Sequence, residues 1–253
     1  MFTGQCECVR LHSFLMTRIA AILPAAGLGT RMGSEVPKQF LEIDGTPIVL
    51  LTLRRLAECQ AISEFFVSTR SEETGPLEQR LAKEKFNGTV HVVKGGETRQ
   101  QSVANALARI GAETDLVAVH DAVRPFVTRE QVQRVIAEAT ARGAAILGVP
   151  AIDTVKEVRR SSLPQDVALI SSTIPREKIV LAQTPQVFET KLLKDAFARA
   201  EKEGMTASDE AALVEWIGHD VYVVQGSERN IKITRPADME LARFYLEQER
   251  RGK

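Results

Sequence analysis

From Ile19 onward the chain alternates short apolar runs with amphipathic stretches, and this rhythm restricts its architecture more than any other feature. The runs at Ile19–Leu23, Glu64–Thr69, Val90–Val93, Leu116–His120 and Ala144–Val149 have strand length. Between them, Ile48–Cys59, Leu77–Phe86, Gln100–Ile110 and Arg129–Arg142 repeat apolar residues at helical spacing, with charged residues on the other face. Such alternation is the mark of a parallel sheet covered by crossover helices. The expectation is therefore an α/β, Rossmann-like, mostly parallel sheet with helices on both faces, forming one domain over residues 19–253. A chain of 253 residues is ordinary for a single large α/β unit.

The rhythm breaks after Pro150. Thr154–Val158 and Val167–Thr173 each have β character, and the polar, proline-containing stretch Arg159–Gln165 between them reads as a turn. Together they predict a projecting β-hairpin arm at about residues 151–176. Alternation then resumes with a segment at Ala182–Phe188, helices at Lys191–Glu203 and Asp209–Ile217, a strand at Val221–Val224 and a helix at Pro236–Leu246. Residues 1–18 lack periodicity and are expected to form a flexible N-terminal extension, or to precede a true start at Met16.

Composition excludes several function classes. Lysine plus arginine and aspartate plus glutamate each total 33, so no global basic field draws in nucleic acid or an anionic membrane. No apolar run reaches the roughly 18 to 20 residues that span a bilayer. The stretch Ile19–Gly27 loosely mimics a signal peptide, but cleavage there would cut through the loop described next. Cys6, Cys8 and Cys59 form neither a disulfide framework nor a zinc set, which fits a reducing cytoplasm. His12, His91, His120 and His219 are scattered, and Trp216 with few other aromatics makes no base-stacking platform.

The first strand ends in Pro24-Ala25-Ala26-Gly27-Leu28-Gly29-Thr30-Arg31, followed by Pro37-Lys38-Gln39. Small residues let backbone N–H groups approach an anion, Arg31 offers a planar fork for phosphate oxygens, and Lys38 offers a mobile point charge. Met32 occupies a position where a dinucleotide fingerprint needs glycine or alanine, and the Gly-Lys-Ser/Thr of a P-loop is missing. At the end of the fourth strand stands His120-Asp121-Ala122-Val123-Arg124-Pro125. Ligands of open α/β sheets bind beyond the strands' carboxyl ends, so Asp121 and Arg124 should face the same crevice as the Gly27 loop. Asp121 either holds a magnesium ion, contacts a substrate hydroxyl, or merely caps a turn and pairs with Arg124. Gly95-Gly96 to Ser102 follows the third strand and opens a helix, where Ser102 is placed either to meet a base edge or to shape the entry. Asn230-Ile231-Lys232 to Arg235-Pro236 precedes the last helix, with Lys232 either at a second phosphate or on plain surface.

Taken in order, these segments, with Asp153-Thr154 and Gln183-Thr184-Pro185-Gln186, resemble the methylerythritol phosphate cytidylyltransferase family of the non-mevalonate isoprenoid pathway. The resemblance implies a nucleotidyltransferase that uses CTP and Mg²⁺ and is a homodimer whose arm reaches into the partner's site. It implies catalytic roles for Arg31, Lys38, Arg176 and Lys232. It implies nucleotide contacts from Pro24, Ala25, Ala26, Gly27, Gly29, Thr30, Gly95, Gly96, Ser102, Asp121 and Ala122. Sugar-phosphate contacts would come from Asp121, Arg124, Thr154, Arg176, Thr184, Ser208 and Lys232. Two positions depart from the pattern: Ser208 where the family often has threonine, and Val123 where it has alanine. A ribitol 5-phosphate cytidylyltransferase is the nearest alternative, disfavoured by Pro24-Ala25-Ala26-Gly27 and by Arg235. A non-catalytic nucleotide sensor would leave Arg31, Lys38, Asp121 and Lys232 unexplained.

Overall fold

The computed structural model describes residues 17–27, 36–159 and 166–252. The expected extension before Thr17, the loop residues Gly29, Thr30 and Arg31, and the tip of the arm lie outside the described residues. Among those described, the strands are β1 (Ile19–Pro24), β2 (Glu42–Ile43), β3 (Thr46–Pro47), β4 (Ile62–Thr69), β5 (Thr89–Lys94), β6 (Leu116–Val119), β7 (Ala144–Pro150), β8 (Val155–Arg159), β9 (Leu169–Ile174), β10 (Val180–Glu189) and β11 (Tyr222–Gln225). The α-helices are α1 (Ile48–Ala57), α2 (Ser71–Leu81), α3 (Arg99–Leu107), α4 (Arg129–Arg142), α5 (Thr190–Glu203), α6 (Glu210–Trp216) and α7 (Pro236–Arg251).

Seven strands form one sheet in the order β11-β7-β10-β6-β1-β4-β5. All neighbours are parallel except β10, which runs antiparallel to both β6 and β7. β1 shows why the sheet is sandwiched: Ala21 and Leu23 pack with α1 and α4 on one face, while Ala20 and Ile22 pack with α3, α5 and α6 on the other. Both sets of alternate side chains are buried, which is the pattern of a parallel sheet covered twice. A third cluster, Ile43, Ile48, Val123, Phe126, Ile233, Met239 and Ala242, seats α7 beside the end of β6.

Helix boundaries follow local chemistry. α4 matches the expected span because Thr128 and Gln131 form a capping box at its start and Gly143 takes a left-handed φ of 86° at its end. α2 starts earlier than its apolar pattern indicates: Glu72 and Glu73 favour the first turn, and the helix passes through Pro76 at the cost of one backbone hydrogen bond. α7 runs past Leu246 to Arg251, where Glu249 pairs with Arg55 and Arg250 with Asp44. β2 and β3 form a two-residue hairpin about Asp44 (φ 51°) and Gly45 (φ 77°), the left-handed pair such a turn requires. The arm is present as the antiparallel pair β8–β9, and its base is closed by Ala151 N–H donating to the Ile179 carbonyl at 3.1 Å.

Candidate active site

β4 and β6 flank β1 on opposite sides, so the chain order reverses there and a crevice opens at the carboxyl ends. The loop after β1 is pinned from two directions. Ala25 N–H donates to Ser68 O at 2.7 Å, and the buried Gln39 amide donates to the carbonyls of Ala25 at 2.6 Å and Gly27 at 3.0 Å. The loop after β5 touches it directly, since a Cβ on Gly95 would stand 2.5 Å from the Ala26 Cβ and 3.1 Å from Ser102 Oγ. Only glycine permits that approach. Ser102 Oγ accepts from Gly96 N–H at 3.0 Å and donates to Thr98 O at 2.8 Å, so it shapes this loop while lining the crevice.

The floor is the segment after β6. Asp121 N–H donates to Thr184 Oγ1 at 3.0 Å, Thr184 Oγ1 lies 2.9 Å from His120 Nδ1, and His120 Nε2 lies 3.0 Å from the Arg124 carbonyl. A carbonyl only accepts, so Nε2 carries the proton and Nδ1 accepts the Thr184 hydroxyl hydrogen. Burial pushes the His120 pKa down to about 4, which keeps the ring neutral at pH 7. His120 is thus a strut beneath Asp121.

Charge gathers on Asp121, which is 6% exposed. Its Oδ2 accepts from Lys232 Nζ at 2.9 Å and Arg124 Nε at 3.2 Å, and its Oδ1 from Arg99 Nε at 3.3 Å. Burial opposes the carboxylate's charge, but Lys232, Arg99 and Arg124 together outweigh it and hold the group well below the usual carboxylate range. Arg124 is further fixed by donating to Asn230 O at 2.7 Å.

Pro24, Ala26, Gly27, Lys38, Gly96, Ser102, Asp121, Ala122 and Lys232 line one crevice of about 210 Å³. Ala25, Arg124 and Thr184 lie beneath it, buried, and support its walls. Thr154 and Arg176 stand on the exposed arm, where Arg176 Nη1 donates to Ile152 O at 2.6 Å, and Ser208 is exposed just before α6. None of these three lines the crevice. Val123 lines it and also packs in the α7 cluster, so the added bulk serves the core as well as the wall. A larger hollow of about 920 Å³ lies at the opposite edge of the sheet, around Asp115, Thr190 and Lys191, and contains no motif residue. The smaller crevice is the candidate site because the converging charges are there. Among the described residues, no group of three or more His, Cys, Asp or Glu is placed to hold a metal ion, and no helix is long and apolar enough to cross a membrane.

Sequence reasoning passed over Arg99 and Glu210. Arg99 Nη1 and Nη2 donate to the two oxygens of Glu210 at 2.7 and 3.0 Å, and Glu210 is 1% exposed. The signal was available: a cation in the first turn of α3 opposes the helix dipole and calls for a carboxylate partner.

A mostly parallel sheet with one reversed strand, opening at its switch point onto a cationic, small-residue crevice, defines a nucleotidyltransferase-like α/β protein. Comparison with known proteins narrows the class. The family model described as "IspD: 2-C-methyl-D-erythritol 4-phosphate cytidylyltransferase" matches residues 19–248, and the chain belongs to that family. The 2-C-methyl-D-erythritol 4-phosphate cytidylyltransferase of Acidobacterium capsulatum is 49% identical over 237 residues, covering 91% of this chain and 98% of its own. That of Solibacter usitatus is 46% identical over 239 residues, covering 92% and 97%. Among solved structures, the enzyme of the same name from Thermus thermophilus superposes with a TM-score of 0.71 at 35% identity, over 90% of this chain and 98% of that one. The 4-diphosphocytidyl-2C-methyl-D-erythritol synthase of Anaerococcus prevotii gives a TM-score of 0.78 at 28% identity, over 91% and 99%.

Proposed function

We propose that this chain transfers the cytidylyl group of CTP to 2-C-methyl-D-erythritol 4-phosphate, releasing pyrophosphate and forming 4-diphosphocytidyl-2-C-methyl-D-erythritol. The observation that carries this reading is the crevice itself: Lys38, Lys232 and Arg99 face one small-residue cradle at the sheet's switch point, in a chain of this family. An oxygen of the sugar phosphate attacks the α-phosphorus, and the bond from that phosphorus to the bridging oxygen of pyrophosphate breaks in line. The nucleophile is already anionic, so no base has to take a proton. This suits Asp121, whose three cations hold it ionised. Catalysis then rests on positioning and on neutralising charge at the α-phosphorus.

In this reading Arg31 and Lys38 stabilise the pentacoordinate charge. Backbone groups of Pro24, Ala25, Ala26, Gly27, Gly29, Thr30, Gly95 and Gly96, with Ser102, hold the nucleotide, and Asp121 with Ala122 meets its ribose. Thr184 works through His120 and the floor, because its hydroxyl is committed there. Lys232 and Arg124 supply positive charge near the sugar phosphate, and Ser208 replaces a threonine hydroxyl. A divalent cation such as Mg²⁺, bound with CTP, would add charge neutralisation at the triphosphate. Asp121, the carboxylate at the crevice floor, is already paired with Lys232, Arg124 and Arg99, so a hard cation would take its oxygens from the triphosphate and water.

A cytoplasmic homodimer formed through the arm completes the proposal. An isolated two-stranded hairpin is marginal in water. Here the hairpin and the adjoining strand expose Ile152, Val158, Val167, Leu169, Ile170, Val180 and Leu181, an apolar surface suited to a second copy. Thr154 and Arg176 would then reach the partner's crevice. The deciding experiment is pyrophosphate release from CTP and Mg²⁺ with methylerythritol phosphate and ribitol 5-phosphate offered separately. Turnover with the first is expected; turnover with ribitol phosphate alone would keep the chemistry and overturn the substrate.

A further inference from the structure

Arg99, one of the cations lining the crevice, is held from behind. Arg99 opens α3, Glu210 opens α6, and Asp121 follows β6, so three elements meet at one guanidinium. Glu210 takes both terminal nitrogens of Arg99 at 2.7 and 3.0 Å, which leaves Nε for Oδ1 of Asp121 at 3.3 Å. We propose that Glu210 is a positioning residue for nucleotidyl transfer, acting through Arg99 to fix the orientation of Asp121 in the crevice.

The charge balance supports this. Arg99, Arg124 and Lys232 converge on a single carboxylate, and without Glu210 the cluster would hold three positive charges against one negative. Glu210 lowers that excess without occupying the crevice, since it is absent from the lining while Arg99 belongs to it. Its fork-to-fork geometry also removes the rotational freedom that an arginine on a crevice wall would otherwise keep. With Arg99 latched, Oδ1 of Asp121 has its donor and Oδ2 remains turned toward Lys232. Released, the guanidinium is free to turn toward triphosphate oxygens and Asp121 loses the donor on Oδ1. Gln186 ties the same corner to the sheet, donating to Asp209 Oδ2 at 2.8 Å and accepting from Ala211 N–H at 3.1 Å. The start of α6 is therefore a rigid anchor for Glu210.

The inference rests on the cytidylyl-transfer reading, and a coupling experiment separates the two. Wild-type turnover with CTP and methylerythritol phosphate is measured first, and its absence would sink the functional reading whatever Glu210 does. E210Q keeps the shape but places an amide against the Arg99 nitrogens, and kcat/KM for CTP is expected to fall about tenfold or more, the size of coupling within one ion-pair network. In a D121N background the same change should cost less than about threefold, because the group through which it acts is already altered. Equal fold-losses in both backgrounds would mean that Glu210 serves only to hold the fold, and would overturn the proposal. CTP binding titrated without the second substrate gives the same cycle where turnover is too low to measure. Should E210Q fail to fold, R99K replaces it: lysine keeps the charge but cannot bridge Glu210 and Asp121 together, so the same non-additivity is expected and its absence is equally decisive.

Discussion

In the crevice Asp121 is 6% exposed and meets three cations, whereas on the arm Ile170 is 57% exposed and Leu169 55%, both on a hairpin pair standing apart from the main sheet. The first region buries charge and so must account for every donor and acceptor, because an unpaired buried ion is far more costly than an unpaired surface one. The second leaves a cluster of apolar side chains in water, the kind of surface that suits association with another protein. The contrast locates what each region is for. Among the described residues, the charges at the crevice floor are paired within the chain, while the arm presents its apolar side chains outward.

The largest break in this comparison should come from the crevice. Lys38→Ala is expected to lower kcat by about 10²-fold or more while leaving the circular dichroism spectrum unchanged. Arg31→Ala should behave alike. Near-normal pyrophosphate release by the Lys38 variant would remove it from the chemistry.

Acid should sharpen the same contrast, because buried groups of the crevice floor have shifted pKa values. His120 has its pKa lowered from 6.5 to about 4, so between those values the unfolded chain binds the proton that the folded one refuses. Stability is therefore full above pH 6.5 and falls as pH drops toward 4, by about 3 kcal/mol from this group. Asp121 adds a further loss at lower pH, as its depressed carboxylate is protonated. Urea unfolding from pH 7 to 4.5 should show the first decline, and His120→Gln should flatten it; an unchanged slope in that variant would show that another group is responsible.

The smallest effect on the subunit itself should come from the arm. Leu169→Asp with Ile170→Asp is expected to change monomer stability by within about 0.5 kcal/mol, while sedimentation shifts from dimer to monomer. Arg176→Ala should raise KM for the sugar phosphate and leave CTP binding intact. Parallel loss of both substrates would make the arm a scaffold for the whole site instead of a contributor to one half.

Much of this was legible in the residues. The βαβ rhythm located the strands of the parallel core, and the helix at Arg129–Arg142 matched its span because its caps are local chemistry. Asp121 shares a crevice with the Gly27 loop because β1 and β6 are adjacent parallel strands whose ends meet one edge, whereas Arg124 lies buried beneath it and Lys232 reaches it from the segment before α7. What escaped is of two kinds, local signals that carry no apolar period and contacts between distant segments. The early start of α2 turned on dipole-favourable glutamates, which an apolar count ignores, and the β2–β3 hairpin was signalled only by Asp44-Gly45. The Arg99–Glu210 pair joins residues 111 positions apart, so no spacing rule reaches it. Ser102 and Thr184 were assigned to ligands by resemblance, yet in the structure their hydroxyls also serve the walls. Direct contact and support are different tasks that a motif alone does not distinguish.

The reversed strand has an architectural consequence. β7 finishes at the crevice edge, and because β10 runs back against it, Val180 faces Pro150 at that same edge. Everything between them is an excursion that leaves and rejoins the sheet at one point, like a drawer opened on the side where the work is done. A helical crossover would have returned the chain to the far side. The reversal thus lets the length and sequence of the excursion vary while the register of the sheet stays as it is.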